Sequence, residues 1–343
     1  MWACFGPADG RYAGTADAMR IAILGAGHVG ATAAYALMLR ALVDEIVLID
    51  RDLALARAEA ADLSDANALA RPARIWAGDY GDAASADIAI LTAGAATHGT
   101  ESRLSVAARS ARIVEDCVDA LMSEGFSGIL LIAANPVDVM SFVAHRRSGF
   151  AAARVIGTGT LLDSSRLRQV IGERLDIAPT AIDALVLGEH GDSELAAFST
   201  IRIGGMTLDG YAASAGVSPD KAEIAALVRT AGYDIIAGKG YTSFGIATAI
   251  VRICEAVLRD ERAVLPVSTM LTGQYGLAGL YMSLPCLIGQ NGIERVLTPD
   301  INADEEAALA ASAGVIRTAL DMLADDRPKP TAPSTARISS QPA

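Results

Sequence analysis

The chain has 343 residues, a formal net charge of −12 and a hydrophobic fraction of 52%. That fraction is too high for a disordered chain, and the length suits two domains sharing one fold or a single long α/β unit. The acidic balance, with no dense basic tract, excludes nucleic acid and anionic membranes as favourable partners. No uninterrupted apolar run reaches the roughly 18 residues of a membrane span, and the start lacks a signal-peptide pattern, so we expect a cytoplasmic protein.

Both ends of the chain differ in composition from the middle. Residues 1–19 mix Gly, Ala and Asp without helical or alternating periodicity, and Met19 directly precedes the first predicted strand. We therefore expect a flexible extension at 1–19, with either Met1 or Met19 as the true start. Residues 327–343 are rich in Pro, Ser and Thr, which predicts a disordered tail.

The cysteines form no CxxC pair and show no metal-ligand spacing. This pattern predicts reduced structural thiols in a reducing compartment and no metal site. The four residues concerned are Cys4, Cys117, Cys254 and Cys286.

Short apolar runs alternate with longer amphipathic runs between residues 20 and 157. Uniformly apolar strands separated by helices are typical of a parallel sheet covered on both faces. The pattern therefore predicts a doubly wound α/β domain of the Rossmann type over 20–157. The predicted strands are 20–24, 45–49, 86–92, 128–133 and 154–156, and the predicted helices lie near 28–41, 53–69, 104–123 and 137–147.

The pattern changes after residue 157. We interpret residues 158–326 as a mixed α+β domain that holds the substrate and the catalytic groups. Its predicted elements are a helix near 161–175, a strand at 182–188, a long helical region at 219–258, short strands within 263–288 and an amphipathic helix at 303–323.

A glycine-rich segment, GAGHVG at 25–30, joins the first predicted strand to a helix. The glycines allow a tight turn and the close approach of a pyrophosphate, which the helix N-terminus attracts. Asp50 ends the next predicted strand, where its carboxylate would bind the adenosine ribose hydroxyls and repel a 2′-phosphate. The arrangement predicts NAD rather than NADP, bound through Gly25, Gly27, Val29, Gly30 and Asp50, while His28 is interpreted as a partly exposed helix-start residue.

Four further segments place polar side chains beside predicted strands or helices. They are ESR at 101–103, NPVD at 135–138, DSSR at 163–166 and GEHGD at 188–192. Together with six other segments, they resemble the lactate/malate dehydrogenase family over about residues 20–325. The ordered set is GAGHVG, IVLID, TAGA, ESRL, ANPVD, GTGTLLDSSRLR, GEHGD, GKGYTSFGIA, LPVSTM and LPCLIGQNG.

The resemblance implies an NAD-dependent enzyme that moves a hydride onto and off the C2 carbon of a small 2-oxo or 2-hydroxy acid. The later motifs are more similar to those of the family's L-lactate dehydrogenases, which interconvert pyruvate and L-lactate, than to those of its malate dehydrogenases. The resemblance also implies that the protein is a homotetramer, with a dimer as the alternative.

The same resemblance assigns the proton transfer to His190. An imidazole suits this role because its pKa lies near the operating pH. Asp163 would pair with the His190 ring, fix its tautomer and raise its pKa. Arg166 lies three residues after Asp163 on the predicted helix, so both side chains can face one site. Its guanidinium would bind the substrate carboxylate through two parallel hydrogen bonds.

Further residues of the site also follow from the resemblance. Arg103 would arrive on a closing loop and stabilise the charge that develops on the carbonyl oxygen. Asn135 would hydrogen-bond the same oxygen and also contact the cofactor, and Thr242 would line the methyl end of the substrate. The nicotinamide contacts would be Gly94, Ala95, Ala133 and Thr158, with Tyr80 as a further candidate.

Thr97 departs from the family pattern at the position that selects the substrate. Lactate enzymes usually carry Gln there and malate enzymes Arg. Without that Arg, the second carboxylate of oxaloacetate would be buried unpaired at a cost of several kcal/mol, in order of magnitude, which disfavours malate activity. Because Thr is shorter than Gln, a broader L-2-hydroxy-acid dehydrogenase is the nearest alternative.

A second departure concerns regulation. Many bacterial members of the family are activated by fructose 1,6-bisphosphate, which binds an Arg and a His at a subunit interface. Arg168 matches the Arg, but Asp183 stands in place of the His. Because a carboxylate repels a bisphosphate, we predict no such activation.

Two hypotheses from other classes remain. One is an NAD-binding sensor or scaffold without catalysis, against which the complete set of His190, Asp163, Arg166 and Arg103 argues. The other is an NAD-dependent glycosidase, whose metal is held by Cys and His. No Cys lies in the corresponding chemistry motifs here, which are ESR, NPVD, DSSR and GEHGD.

Overall fold

A computed structural model describes residues 18–70, 73–95 and 103–325 of the chain. The predicted tail at 327–343, nearly all of the predicted N-terminal extension, Cys4 and the substrate-selecting Thr97 lie outside the described residues.

Six parallel strands form the N-terminal part of a nine-stranded sheet, in the spatial order β3-β2-β1-β4-β5-β6. The central strands are buried along their whole length, as the continuous apolar runs require. The doubly wound prediction is therefore confirmed. The strands are β1 (Arg20–Leu24), β2 (Glu45–Ile49), β3 (Arg74–Ala77), β4 (Ile88–Leu91), β5 (Ile129–Ile132) and β6 (Val155–Gly157).

Helices cover both faces of this sheet. Neighbouring residues of β1 alternate between the two cores, with Ile21 and Ile23 in one and Ala22 and Leu24 in the other. The four predicted helices of this half are present, and α3 was missed because four residues are too few to show periodicity. The helices are α1 (His28–Arg40), α2 (Leu53–Asn67), α3 (Tyr80–Ala83), α4 (Arg103–Ser123) and α5 (Val137–Ser148).

The second half combines helices, short strands and two long strands. The region 263–288, for which the sequence predicts short strands, instead forms strands of 10 and 12 residues. The predicted strand at 182–188 is two short strands in different sheets, and the long helical region is two helices separated at Gly240, whose φ is 87°. The elements are α6 (Leu161–Leu175), β7 (Ile182–Asp183), β8 (Val186–Leu187), β9 (Leu195–Ala196), β10 (Arg202–Ile203), β11 (Met206–Thr207), α7 (Leu208–Ser214), α8 (Lys221–Lys239), α9 (Phe244–Leu258), β12 (Ala263–Thr272), β13 (Ala278–Gly289), β14 (Gly292–Val296) and α10 (Ala303–Asp325).

The two halves share one sheet. Antiparallel β12, β13 and β14 continue it beyond β6, and Ser268 of β12 pairs with Gly157 of β6. A Cβ at Gly157 would lie 2.4 Å from the hydroxyl of Ser141 and 2.7 Å from the Cβ of Ser268. Only glycine therefore allows this close junction between the halves.

Helix α10 lies against β13, α4 and α5. Within the described ranges, its segment Ala303–Ala324 is the one helix whose length and composition would suffice to cross a membrane. Its Leu309, Ala313 and Ile316 are buried in a core cluster. One face of the helix thus packs on the rest of the protein.

Substitution of Gly30 tests how tightly the turn between β1 and α1 is packed. A Cβ at Gly30 would lie 1.9 Å from the carbonyl oxygen of Gly25, so the turn would have to shift. We expect Gly30→Ala to destabilise the protein by about 3 kcal/mol, because it overpacks backbone against backbone. At Gly314 in α10 no described atom lies within 4 Å of the added Cβ, so Gly314→Ala should instead stabilise by about 0.5 kcal/mol. Urea unfolding midpoints measure both changes, and equal midpoints for the two variants would contradict this packing.

Candidate active site

The glycine turn lies at the carboxyl end of β1, beside β4, where the strand order reverses. Gly25 has a φ of +112°, and a Cβ there would meet the backbone nitrogen of Ala93 at 2.7 Å. Helix α1 begins at His28, whose exposed ring stacks on Tyr241 with centroids 3.8 Å apart. Gly27 is exposed, and no described atom lies within 4 Å of a Cβ built on it. Open space therefore faces the positive end of α1, which fits a dinucleotide pyrophosphate.

Asp50 is fixed beside this turn at the end of β2. One carboxylate oxygen accepts the Ala26 backbone N–H at 2.8 Å, and the other accepts that of Asp52 at 2.9 Å. Each oxygen keeps a second lone pair, so the carboxylate can still accept hydrogen bonds from ribose hydroxyls. The geometry fits the cofactor role expected for Asp50.

Tyr80, the further cofactor candidate, begins the short helix α3. It is half-buried, its hydroxyl bonds to the thiol of Cys117, and the charge of Asp50 acts on it. Burial is the main cause that raises the pKa of both Tyr80 and Cys117. The cofactor contact expected of Tyr80 stays a prediction. The short α3, which carries Tyr80, was not visible in the sequence pattern.

The other expected nicotinamide contacts meet at the carboxyl ends of β4, β5 and β6. Backbone N–H groups join them to neighbouring strands, from Ala133 to Leu91 at 2.9 Å and from Thr158 to Ile132 at 2.9 Å. The Ala95 N–H donates to the Ser110 hydroxyl at 3.1 Å. Gly94, Ala95, Ala133 and Thr158 thus lie at one edge of the sheet, next to the glycine turn.

One buried carboxylate joins the two groups expected to handle the substrate. Asp163, in the first turn of α6, accepts a hydrogen bond from Arg166 Nη1 at 2.8 Å and contacts His190 Nδ1 at 2.6 Å. The Asp163 side chain is 2% exposed, that of Arg166 18% and that of His190 28%. The Asp163 carboxylate is therefore enclosed by protein, while the Arg166 guanidinium and the His190 imidazole are partly exposed to solvent.

This arrangement controls the charge on His190. Burial opposes protonation of the imidazole, but Asp163 more than compensates and raises the pKa of His190 to about 9. Burial would likewise raise the pKa of Asp163, yet His190 and Arg166 hold it below its usual range. At neutral pH the site therefore contains a carboxylate, an imidazolium and a guanidinium, which suit an anion with a carbonyl group to protonate.

Asp138 is a residue of the site whose role the sequence analysis missed. Its carboxylate accepts the His190 backbone N–H at 2.8 Å and the Ser268 hydroxyl at 2.5 Å. Burial raises the pKa of Asp138 to about 6, although both hydrogen bonds lower it. Asp138 is the fourth residue of the NPVD motif, so the sequence did mark its position. Its role was missed because its partner Ser268 lies 130 residues further along the chain.

The loop that carries His190 is also attached to α10. The Glu189 backbone N–H donates to the Ser312 hydroxyl at 2.8 Å, and the Ser193 hydroxyl lies 3.0 Å from the same oxygen. A Cβ at Gly188 would meet that oxygen at 2.8 Å. No local pattern marks Ser312, because it acts only through this distant contact.

The remaining expected residues surround the cluster less completely. Asn135 is exposed after β5, next to a cis Asn135–Pro136 bond, and Thr242 is half-buried between α8 and α9. Arg103 begins α4, but its side chain, like the whole of Thr97, lies outside the described residues. Their roles stay predictions.

Glu194 is a fourth ionisable group, beside the cluster of Asp163, Arg166 and His190. Ligand atoms of Asp163, His190 and Glu194 lie within 4.8 Å of one another, a spacing that a metal ion could bridge. However, His190 Nδ1 already contacts Asp163, and a guanidinium holds the other Asp163 oxygen. This cluster is better suited to an anion, and the absence of a metal site stays a prediction.

Family models account for nearly all of the described chain. Residues 19–157 match the lactate/malate dehydrogenase NAD binding domain, and residues 160–325 match the alpha/beta C-terminal domain of the same family. The chain belongs to the lactate/malate dehydrogenase family. It is therefore an oxidoreductase with NAD as its cofactor, as the glycine turn and Asp50 predict.

Individual members of the lactate/malate dehydrogenase family align over almost their full length. An L-lactate dehydrogenase of Clostridium botulinum is 40% identical over 305 residues, which cover 88% of this chain and 96% of the relative. An L-lactate dehydrogenase of Priestia megaterium is 37% identical over 309 residues, which cover 90% of this chain and 97% of the relative.

Solved structures of lactate dehydrogenases superpose on the whole fold. The ligand-bound minor L-lactate dehydrogenase of Enterococcus mundtii gives a TM-score of 0.86 at 36% identity, covering 89% of this chain and 98% of that one. A lactate dehydrogenase from a Medee basin deep-sea metagenome library gives 0.87 at 37% identity, covering 90% and 99%.

Replacing Asp163 tests the electrostatic account of the site. In Asp163→Asn the neutral amide no longer stabilises the imidazolium, so burial should dominate and move the pKa of His190 from about 9 to below the ordinary value of about 6.5. Titration of the histidine ring resonances measures this, and only four histidines must be assigned. Glu173→Gln, on the exposed face of α6, is the control and should leave the value unchanged. A His190 that still titrates near 9 in Asp163→Asn would refute this account.

Proposed function

We propose that this protein is an NAD-dependent L-lactate dehydrogenase that converts pyruvate, NADH and a proton to L-lactate and NAD. The observation that carries the proposal is the shared carboxylate of Asp163, which holds an imidazolium and a guanidinium at one opening. The L-lactate dehydrogenases that are 37–40% identical over most of the chain support the choice of substrate. The broader 2-hydroxy-acid alternative is not favoured, since those relatives are named for lactate.

The geometry suggests how the residues would divide the work. One terminal nitrogen of Arg166 is held by Asp163, which leaves other N–H groups of the guanidinium for the pyruvate carboxylate. Because Nδ1 of His190 contacts Asp163, the proton for the carbonyl oxygen would come from Nε2. Bound NADH supplies the hydride to C2. Arg103 and Asn135 would stabilise the negative charge on the same oxygen.

A substrate panel with a His190 variant tests the function. The purified protein should oxidise NADH with pyruvate, and kcat/KM for pyruvate should exceed that for 2-oxoisocaproate and oxaloacetate. His190→Asn should lower kcat by roughly 10²–10⁴-fold with unchanged NADH affinity, because only the proton donor is lost. Full activity in His190→Asn would overturn the mechanism. A preference for 2-oxoisocaproate would instead favour the broader alternative, and tight NADH binding without turnover of any 2-oxo acid would favour a sensor.

Regulation by a sugar bisphosphate is proposed to be absent. Arg168 donates to the Ala184 carbonyl at 3.3 Å, and the charge of Asp183 acts on its guanidinium. Asp183 would therefore repel a bound phosphate and also compete for Arg168. We expect the KM for pyruvate to change less than about twofold when fructose 1,6-bisphosphate is added in excess. A large fall in KM on addition would contradict this prediction, and Asp183→His is the variant in which such a fall could appear.

We further propose a homotetramer, with a dimer as the alternative, and a cytoplasmic location. Several large apolar side chains on α8 and α9 are exposed, as at a subunit interface: Leu227, Tyr233, Ile235, Ile236 and Phe244. The three cysteines that the structure describes, Cys117, Cys254 and Cys286, are buried free thiols, which suits a reducing compartment.

A further inference from the structure

Glu194 is an ionisable group that the mechanism above does not use. Its residue is only 9% exposed, and it directly precedes β9, at the end of the loop that carries His190. A Glu194 carboxyl oxygen lies within 4.8 Å of ligand atoms of Asp163 and His190, and among the residues that the structure describes it has no hydrogen-bond or ion-pair partner. Glu194 is therefore held beside the charged cluster without a bond to it, and the effect of its own charge there calls for a physical explanation.

Charges from each neighbouring element act on Glu194. They are the charges of Asp163 and Arg166 on α6, of His190 on the same loop and of Arg229 on α8. Burial and then Asp163 raise the pKa of Glu194 to about 8, although His190, Arg229 and Arg166 lower it. In the free enzyme at neutral pH, Glu194 is therefore mostly a neutral carboxylic acid.

The charge of the cluster depends on this proton. With neutral Glu194, the set of Asp163, Arg166, His190 and Glu194 carries one net positive charge. That charge matches the single carboxylate of a 2-oxo monocarboxylic acid. With ionised Glu194 the same set is neutral, and Arg166 is attracted to a second carboxylate.

We propose that Glu194 is a positioning residue that sets the affinity for the substrate anion: its neutral form leaves the Arg166 guanidinium to the substrate, and its ionised form competes for that guanidinium. This inference rests on the proposed function, since it concerns binding of the 2-oxo acid. The chemistry at C2 does not involve Glu194, so kcat should depend on it much less than KM does.

The pH dependence of substrate binding tests the proposal. Wild type should show a KM for pyruvate, and a Kd for the unreactive isostere oxamate with saturating NADH, that rise about fivefold between about pH 6.5 and about pH 8.5. In Glu194→Gln both constants should change by less than about 1.5-fold over that range, with kcat within about twofold of wild type. Glu173→Gln is the matched control and should follow wild type.

The outcomes separate this inference from the proposed function. If wild type turns over pyruvate but Glu194→Gln shows the same rise in KM as wild type, the inference fails and the function stands. If no variant turns over pyruvate at either pH, the function fails. Should Glu194→Gln not fold, Glu194→Met, an uncharged side chain of similar length, takes its place in the same comparison.

If neither Glu194 variant folds, a measurement on the wild-type protein alone tests the proposal. Oxamate binding to the NADH complex at about pH 8.5 should take up about three quarters of a proton through Glu194, in addition to about a quarter through His190. Calorimetry in buffers of different ionisation enthalpy gives this number. Uptake of only about a quarter of a proton, the amount expected from His190 alone, would overturn the proposal.

Discussion

The contact on which the site depends is the pair of bonds made by one carboxylate. Asp163 holds Arg166 with one oxygen and His190 with the other, and it is almost wholly buried. A buried carboxylate is costly unless opposite charges or hydrogen-bond donors compensate it, and for Asp163 this compensation comes from Arg166 and His190. In the proposed mechanism, the same carboxylate thus orients the group that binds the substrate and the group that transfers the proton.

The geometry of that contact is maintained from several directions. Asp163 and Arg166 share a helix, while the loop with His190 is held by Asp138 at the end of the parallel sheet and by Ser312 on the last helix. Ser268 of β12 hydrogen-bonds Asp138 and also pairs with Gly157 of β6. The loop with His190 is therefore positioned by both halves of the molecule, and the joint sheet is part of the site's support.

Local patterns in the sequence were sufficient for the main elements, and the resemblance of the ordered motifs to a family supplied the residues of the central cluster. The apolar runs gave β1, β2, β4, β5 and β6, and the DSSR spacing placed Asp163 and Arg166 on one helical face. β3 was missed because Trp76 and its neighbours are only partly buried. Ser312, Ser268 and Glu194 were missed because their significance lies in contacts with distant residues, which no short window of sequence contains.

The shared sheet has a consequence for any attempt to divide this protein. Although the NAD-binding family model ends at residue 157, β12 covers the outer edge of β6 there. A chain truncated after residue 157 would consist of the Rossmann half alone. The backbone groups at the outer edge of β6, a buried and apolar strand, would then be unpaired and exposed to water. Such an edge invites pairing with other chains, so the truncated polypeptide is expected to aggregate rather than persist as a free NAD-binding module.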